Sequence, residues 1–139
     1  MPLYNNGKKN LMNGGIDLDT DTIKVALLAN TYTPNIDTDN DFADVSAHEI
    51  SGTGYNAGGA TLANKSVTAD TTDDEGVFDA DDVTWSTATI TARYAVVYKS
   101  TGTPANDLLI CYVDFGSDQS SSASNFTIQW NAEGIVNIT

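Results

Sequence analysis

The segment Leu108–Phe115 (LLICYVDF) constrains the fold most, because only Asp114 interrupts an otherwise apolar run. A run this short, with β-branched and aromatic side chains, reads as a central strand covered on both faces. Ahead of it, Thr89–Lys99 (TITARYAVVYK) is the longest strand candidate. Simple alternation sets Ile90, Ala92, Tyr94, Val96 and Tyr98 on one face against Thr91, Arg93, Ala95 and Val97 on the other. Thr22–Asn30 repeats the pattern with Ile23, Val25 and Leu27. Phe126–Trp130 and Ile135–Ile138 predict a closing hairpin across Asn131-Ala132-Glu133-Gly134. Weaker strands fall at Ala60–Asn64, Ser66–Ala69, Val77–Phe78 and Val83–Ser86.

The separators are turn chemistry: Thr33-Pro34-Asn35, Ser51-Gly52-Thr53-Gly54, Asp73-Asp74-Glu75-Gly76, Thr101-Gly102-Thr103-Pro104 and the polar stretch Ser117–Asn125. Strands and turns at this spacing predict a mostly β fold, an antiparallel β-sandwich or barrel of about eight short strands. The helical patterns that an α/β fold needs between its strands do not occur. Leu3, Tyr4, Leu11 and Met12 fall at helical spacing and Gly14-Gly15 supplies a stop, so residues 1–15 predict a short helix or arm. Gly7 opposes that helix. Residues 16–139 are then expected to form a single β domain.

Charge narrows the partners. Nineteen acids, sixteen of them Asp, stand against six bases, and the formal net charge is −13. The short Asp carboxylate binds nearby backbone N–H groups, which places this charge on turns and rims. Binding phosphates needs clustered Lys and Arg, whereas this chain has Arg93 and five scattered lysines. Direct nucleic-acid binding and adhesion to an anionic membrane are therefore not expected. Met1–Asn5 lacks the basic-then-apolar layout of a signal peptide, so synthesis in a cytoplasm is expected.

The motifs that could carry chemistry are incomplete. Asp37-Thr38-Asp39-Asn40-Asp41 begins like a calcium loop, but Phe42 stands where the sharp turn needs Gly and His48 where a bidentate Glu belongs. Asp17-Leu18-Asp19-Thr20-Asp21 meets Thr22 at the glycine position, and Asp79-Ala80-Asp81-Asp82 has no glycine. All three read as solvated turns. Gly52-Thr53-Gly54-Tyr55-Asn56-Ala57 matches a loose dinucleotide pattern without the strand and helix that make it work, and reads as a glycine-rich loop. Cys111 lies in the apolar run and reads as a buried small hydrophobe. His48, the only histidine, has no supporting motif for nucleophilic catalysis. No catalytic residue, cofactor site or metal site is expected. Trp85, Trp130, Tyr94 and Tyr98 offer an alternative, a sugar-binding platform on a β-sandwich.

One ordered set of segments resembles a known family. It runs from Leu3-Tyr4-Asn5 and Leu11-Met12-Asn13-Gly14 through Ile16–Val25, Ser51–Tyr55, Gly58-Gly59-Ala60 and Phe78–Trp85. Ile90–Lys99, Val113–Gly116 and Phe126–Trp130 complete it. Together these resemble small structural proteins encoded by tailed bacteriophages. The resemblance implies a virion component, a decoration or cement protein on the outer capsid surface. Its expected partners are the major capsid protein and further copies of itself, with a trimer favoured. Residues 1–15 are then a candidate capsid-contacting arm, and Arg93 a candidate partner for an Asp across a subunit interface. A tail, baseplate or fibre-associated protein is the alternative within the virion. Independently, a strongly acidic protein suits an outer surface better than the DNA-facing wall.

Overall fold

The computed structural model describes all 139 residues. It is mostly β, with a four-stranded and a three-stranded antiparallel sheet in a sandwich-like arrangement and a short N-terminal helix. Helix α1 spans Asn5–Met12 and a single turn, α2, spans Phe42–Val45. The strands are β1 (Ile23–Leu28), β2 (Ala60–Thr61), β3 (Ser66–Asp70), β4 (Glu75–Asp79), β5 (Val83–Lys99), β6 (Leu109–Ile128) and β7 (Val136–Ile138). The large sheet has the order β2-β1-β5-β6 and the small one β3-β4-β7.

Seven strands thus replace the expected eight or so, and two of them are long rather than short. The polar stretch Ser117–Asn125 is not a turn but the middle of β6, paired with the Thr-rich half of β5 through Thr91↔Ser120, Ile90↔Ser121 and Ala88↔Ser124. Cross-strand hydroxyl pairs support it, with Thr91 Oγ1 2.7 Å from Ser120 Oγ and Thr84 Oγ1 2.9 Å from Thr127 Oγ1. The expected closing hairpin does not form either. β7 pairs with β4 instead, because the turn before it carries the chain into the other sheet. Gly134 sits in that turn at φ 95°, and a Cβ there would lie 2.6 Å from Val77 Cγ1.

Bulges decide which side of β5 faces which core. Its inward residues toward the small sheet are Val83 and Trp85, then Ala88, Ile90 and Ala92, then Ala95 and Val97. The odd–even phase changes twice. One change falls where Thr87 and Ala123 adopt left-handed backbone (φ 50° and 46°) on opposite strands. The other lies beyond Ala92, where β6 carries extra residues between its pairings Ala92↔Gln119 and Tyr94↔Asp114. The face expected from unbroken alternation is therefore split. Ile90 and Ala92 face the core beneath the small sheet, whereas Val96 and Tyr98 belong to a second core on the other side, with Tyr94 packed against it.

The first core joins Ile23, Val25, Leu27, Val97 and Ile110 to Phe78, Ile135 and Val136 of the small sheet. The second is covered by α1, α2 and the chain between them: Tyr4, Tyr32, Phe42 and Val45 pack on Leu28, Val96, Tyr98 and Leu109. Phe42 stacks on Tyr98 at 4.5 Å, and Tyr4 Oη lies 2.7 Å from Tyr32 Oη, which donates to Asp39 Oδ2 at 2.8 Å. Both faces of the central strands are thus buried within one chain. Apolarity on both sides of Leu108–Phe115 therefore does not call for a partner subunit.

The expected helix forms despite Gly7, and the structure explains the glycine. α1 lies so close to β6 that a Cβ at position 7 would sit 2.7 Å from Leu109 O and 2.9 Å from Ile110 O. The stripe is not uniform: Tyr4 is buried, while Met12 is 83% exposed.

Candidate functional site

β6 is an edge strand, and its two halves meet different fates. At its start Pro2–Tyr4 runs antiparallel beside it, with Leu3 bridged to Cys111, Tyr4 N–H donating to Ile110 O and Tyr112 N–H donating to Pro2 O. Beyond Tyr112 no strand lies on its outer side, and β5 is its only partner to Ile128. β7 is likewise an edge, paired with β4 alone. The sandwich stays unclosed between these two edges.

That seam holds the largest cleft of the molecule, about 700 Å³. Met1 and, from β6, Val113, Phe115 and Gln119 line it together with Thr127 and Ile128 from the far end of the same strand, Gln129–Asn131, Glu133 and Gly134 from the following turn, and Asn137 of β7. One strand lines two walls because it curls. Phe115 and Phe126 have ring centroids 6.3 Å apart, whereas eleven residues of straight strand would separate them by about 36 Å. Gly116, at φ 82°, and the bulged residues around it start that curl. Asp114 steadies it, taking the Gly116 N–H at 2.7 Å and the Arg93 Nε–H at 2.9 Å. The Arg93 bond, and then the Gly116 N–H, hold the Asp114 carboxyl below the usual Asp range. Arg93 is thus paired within its own chain.

The walls are fixed. Trp130 Nε1 donates to Asp81 O at 3.0 Å and its backbone N–H to Asp82 Oδ1 at 2.9 Å. Asn137 Nδ2 donates to Glu75 Oε1 and to Glu133 O, each at 2.7 Å. Glu133 is the only carboxylate in the lining, and no charged residue lies between Asp118 and Glu133 or between Asp82 and Arg93. In a chain of net charge −13, the seam, with Glu133 its only carboxylate, and the curled outer half of the β5–β6 ribbon form a tract nearly free of charge that bears Ser, Thr, Gln and Asn.

The other sequence candidates are scattered. Trp85, Trp130 and Tyr98 are buried, the first two in the core under the small sheet and Tyr98 in the opposite one, so with Tyr94 they share no face and make no platform. Cys111 is fully buried, and burial pushes its thiol up to about 12. His48 sits on a half-buried turn with Nδ1 2.9 Å from Thr31 Oγ1. The Gly52–Ala57 loop leads into the two-residue β2, not a helix, and is anchored by Tyr55, whose hydroxyl accepts from Leu27 N–H and donates to Glu49 Oε1.

Most carboxylates of the acidic segments bond protein groups around them, although Asp41 Oδ1 and Asp79 Oδ1 are buried without a partner. Asp17 Oδ1 accepts the Asp19 and Thr20 N–H groups, Asp21 pairs with Lys99 at 3.0 Å, and Asp39 takes Tyr32 and Asn35. The acids that do converge are others. Asp70, Asp73 and Glu75 bring carboxylate oxygens within 4.8 Å of one another at the β3–β4 turn. Linear spacing hides them, since Asp70 and Glu75 meet only as cross-strand partners.

No helix is long and apolar enough to cross a membrane. Comparison with protein-family models, curated proteins and solved structures finds no match for this chain.

Proposed function

We propose that this protein is an assembly component of a tailed-bacteriophage particle, a decoration protein on the outer capsid surface that binds the major capsid protein. The observation that carries the reading is the segregation of charge. The acidic residues crowd the turns, while one continuous exposed tract, the seam and the outer β5–β6 ribbon, is nearly free of charge. Another protein can approach such a tract without stripping water from unpaired carboxylates, and the acidic remainder keeps particles apart. The ordered resemblance of Leu3–Asn5, Leu11–Gly14, Ile16–Val25, Phe78–Trp85 and Ile90–Lys99 to small phage structural proteins points the same way.

Quantitative mass spectrometry of purified particles of the encoding phage tests it. A decoration protein is recovered at a stoichiometry comparable with the major capsid protein. Recovery as a small fraction of it, in isolated tails, would move the protein to the tail, and absence from particles would end the virion reading.

A further inference from the structure

We infer that the seam between β6 and β7 accepts an extended segment of another protein chain, which adds to β6 as a strand and continues the sheet where Pro2–Tyr4 leaves off. The inference deepens the assembly reading and rests on it only for the identity of the neighbour.

Three features fix the occupant as polypeptide in extended form. First, the cleft is bounded by strand edges, and an unpaired edge offers a ladder of backbone N–H and C=O groups that a strand satisfies along its whole length. Second, the edge already accepts such an addition from this chain: Tyr4 N–H on Ile110 O and Pro2 O on Tyr112 N–H are the first rungs, and Asp114 is the next residue whose backbone faces the same side. Third, Val113 and Phe115 stand two residues apart on the open side, both half-buried, with Ile128 and Trp130 facing the same cleft. A strand bearing apolar side chains at alternate positions fits that spacing.

The edge is only partly protected. Proteins blunt exposed edges with charges, Pro, bulges or a covering strand; Val113–Ile128 carries Asp114, Asp118 and the bulge at Gly116, but it contains neither Lys nor Pro and no strand covers it. Bulges bend this edge without closing it. Charge selects a different protein over a second copy: two chains of −13 repel, and Glu133 at the rim favours a neutral or basic segment.

The test is selection of a displayed library of random peptides on the intact protein, with V113K as the counter-selection target. A lysine on the open edge blocks strand addition while leaving the covered half of β6 untouched. Enriched peptides are expected to alternate apolar and polar residues, to be neutral or basic, and to slow amide exchange of Val113–Gln119. Methylating alternate backbone nitrogens of the best peptide on its β6-facing side should weaken binding at least tenfold. Failure to enrich over V113K, protection confined to another surface, or indifference to backbone methylation would each overturn the inference. Slowed exchange at Val113–Gln119 that rises with protein concentration and needs no peptide would replace the foreign segment with a second copy. Because the assay reads the seam alone, it can fail while particle stoichiometry still places the protein on the capsid, or succeed while stoichiometry moves it to the tail.

Discussion

β6 is two strands in one. From Leu109 to Cys111 every side chain is buried and the outer edge is sealed by Pro2–Tyr4; from Val113 onward the edge is bare, and most residues from Asp114 to Asn125 are exposed. The composition follows the surroundings. Where both faces and the edge are covered the chain is Leu-Ile-Cys-Tyr, and where one face meets water it turns to Ser, Asn and Thr with Phe126 and Ile128 pointing inward. Stability and recognition are thereby assigned to different halves of one element, so mutations in the two halves should have effects of different kinds.

The largest effect should come from the sealed half. Leu109→Ala removes a fully buried side chain between Tyr4, Tyr98 and their neighbours, and should lower unfolding free energy by about 2–5 kcal/mol in urea titrations. A loss under about 1 kcal/mol would mean the second core is loosely packed. Gly7→Ala comes next and separates two opposing influences. Ala favours a helix by about 1 kcal/mol over Gly, yet here its methyl meets the Leu109 and Ile110 carbonyls. We expect net destabilisation of about 1–3 kcal/mol, as for overpacking, and any gain in melting temperature would show that α1 is not pressed against β6.

Tyr32→Phe is smaller. It removes the hydroxyl between Tyr4 and Asp39 and leaves the buried Tyr4 hydroxyl unpaired, for a loss of about 1–2 kcal/mol by thermal melting. Smallest is Asp114→Asn in the open half. The folded Asp114 carboxyl titrates below its unfolded value, so its contribution is present above about pH 4 and fades as pH falls through the folded value. The variant should therefore lose less melting temperature than the parent between about pH 5 and pH 3, a modest difference because the Arg93 pair is largely exposed. Equal losses would make the pair irrelevant to the curl.

The parts of the fold legible in the sequence are those whose signal is local. Ile23–Leu28, the hydrophobic body of Thr89–Lys99 and the run after Leu108 carry their own periodicity, and Leu3–Met12 carries helical spacing in spite of Gly7. What escaped depends on a partner distant in sequence. Ser117–Asn125 has turn composition and becomes strand because Thr84–Ala92 lies alongside it, a tertiary override of propensity. The phase changes in β5 escaped because Thr87 and Arg93 look like any strand residue until a bulge gives them a place. The seam had no motif to find, for an edge is defined by what does not lie beside it. Of its ingredients, Phe115 and Ile128 read as ordinary strand residues, and Trp130 stands out only for a sugar-binding platform that does not form. Only the neutrality of Gln119–Ala132, set against so acidic a chain, was visible in advance.

The docking of Pro2–Tyr4 on Ile110–Tyr112 also sets an order of events during synthesis. Tyr4 leaves the ribosome more than a hundred residues before the carbonyl that receives its N–H. At elongation rates of about 5–20 residues per second, that wait is on the order of ten seconds. Throughout it the Tyr4 ring has only the early part of the second core, Leu28, Tyr32, Phe42 and Val45, to meet, and α1 has no strand to lie on. Pro2–Tyr4 can thus settle only once Ile110–Tyr112 has been made, and the rest of β6 and β7 complete the first core after that.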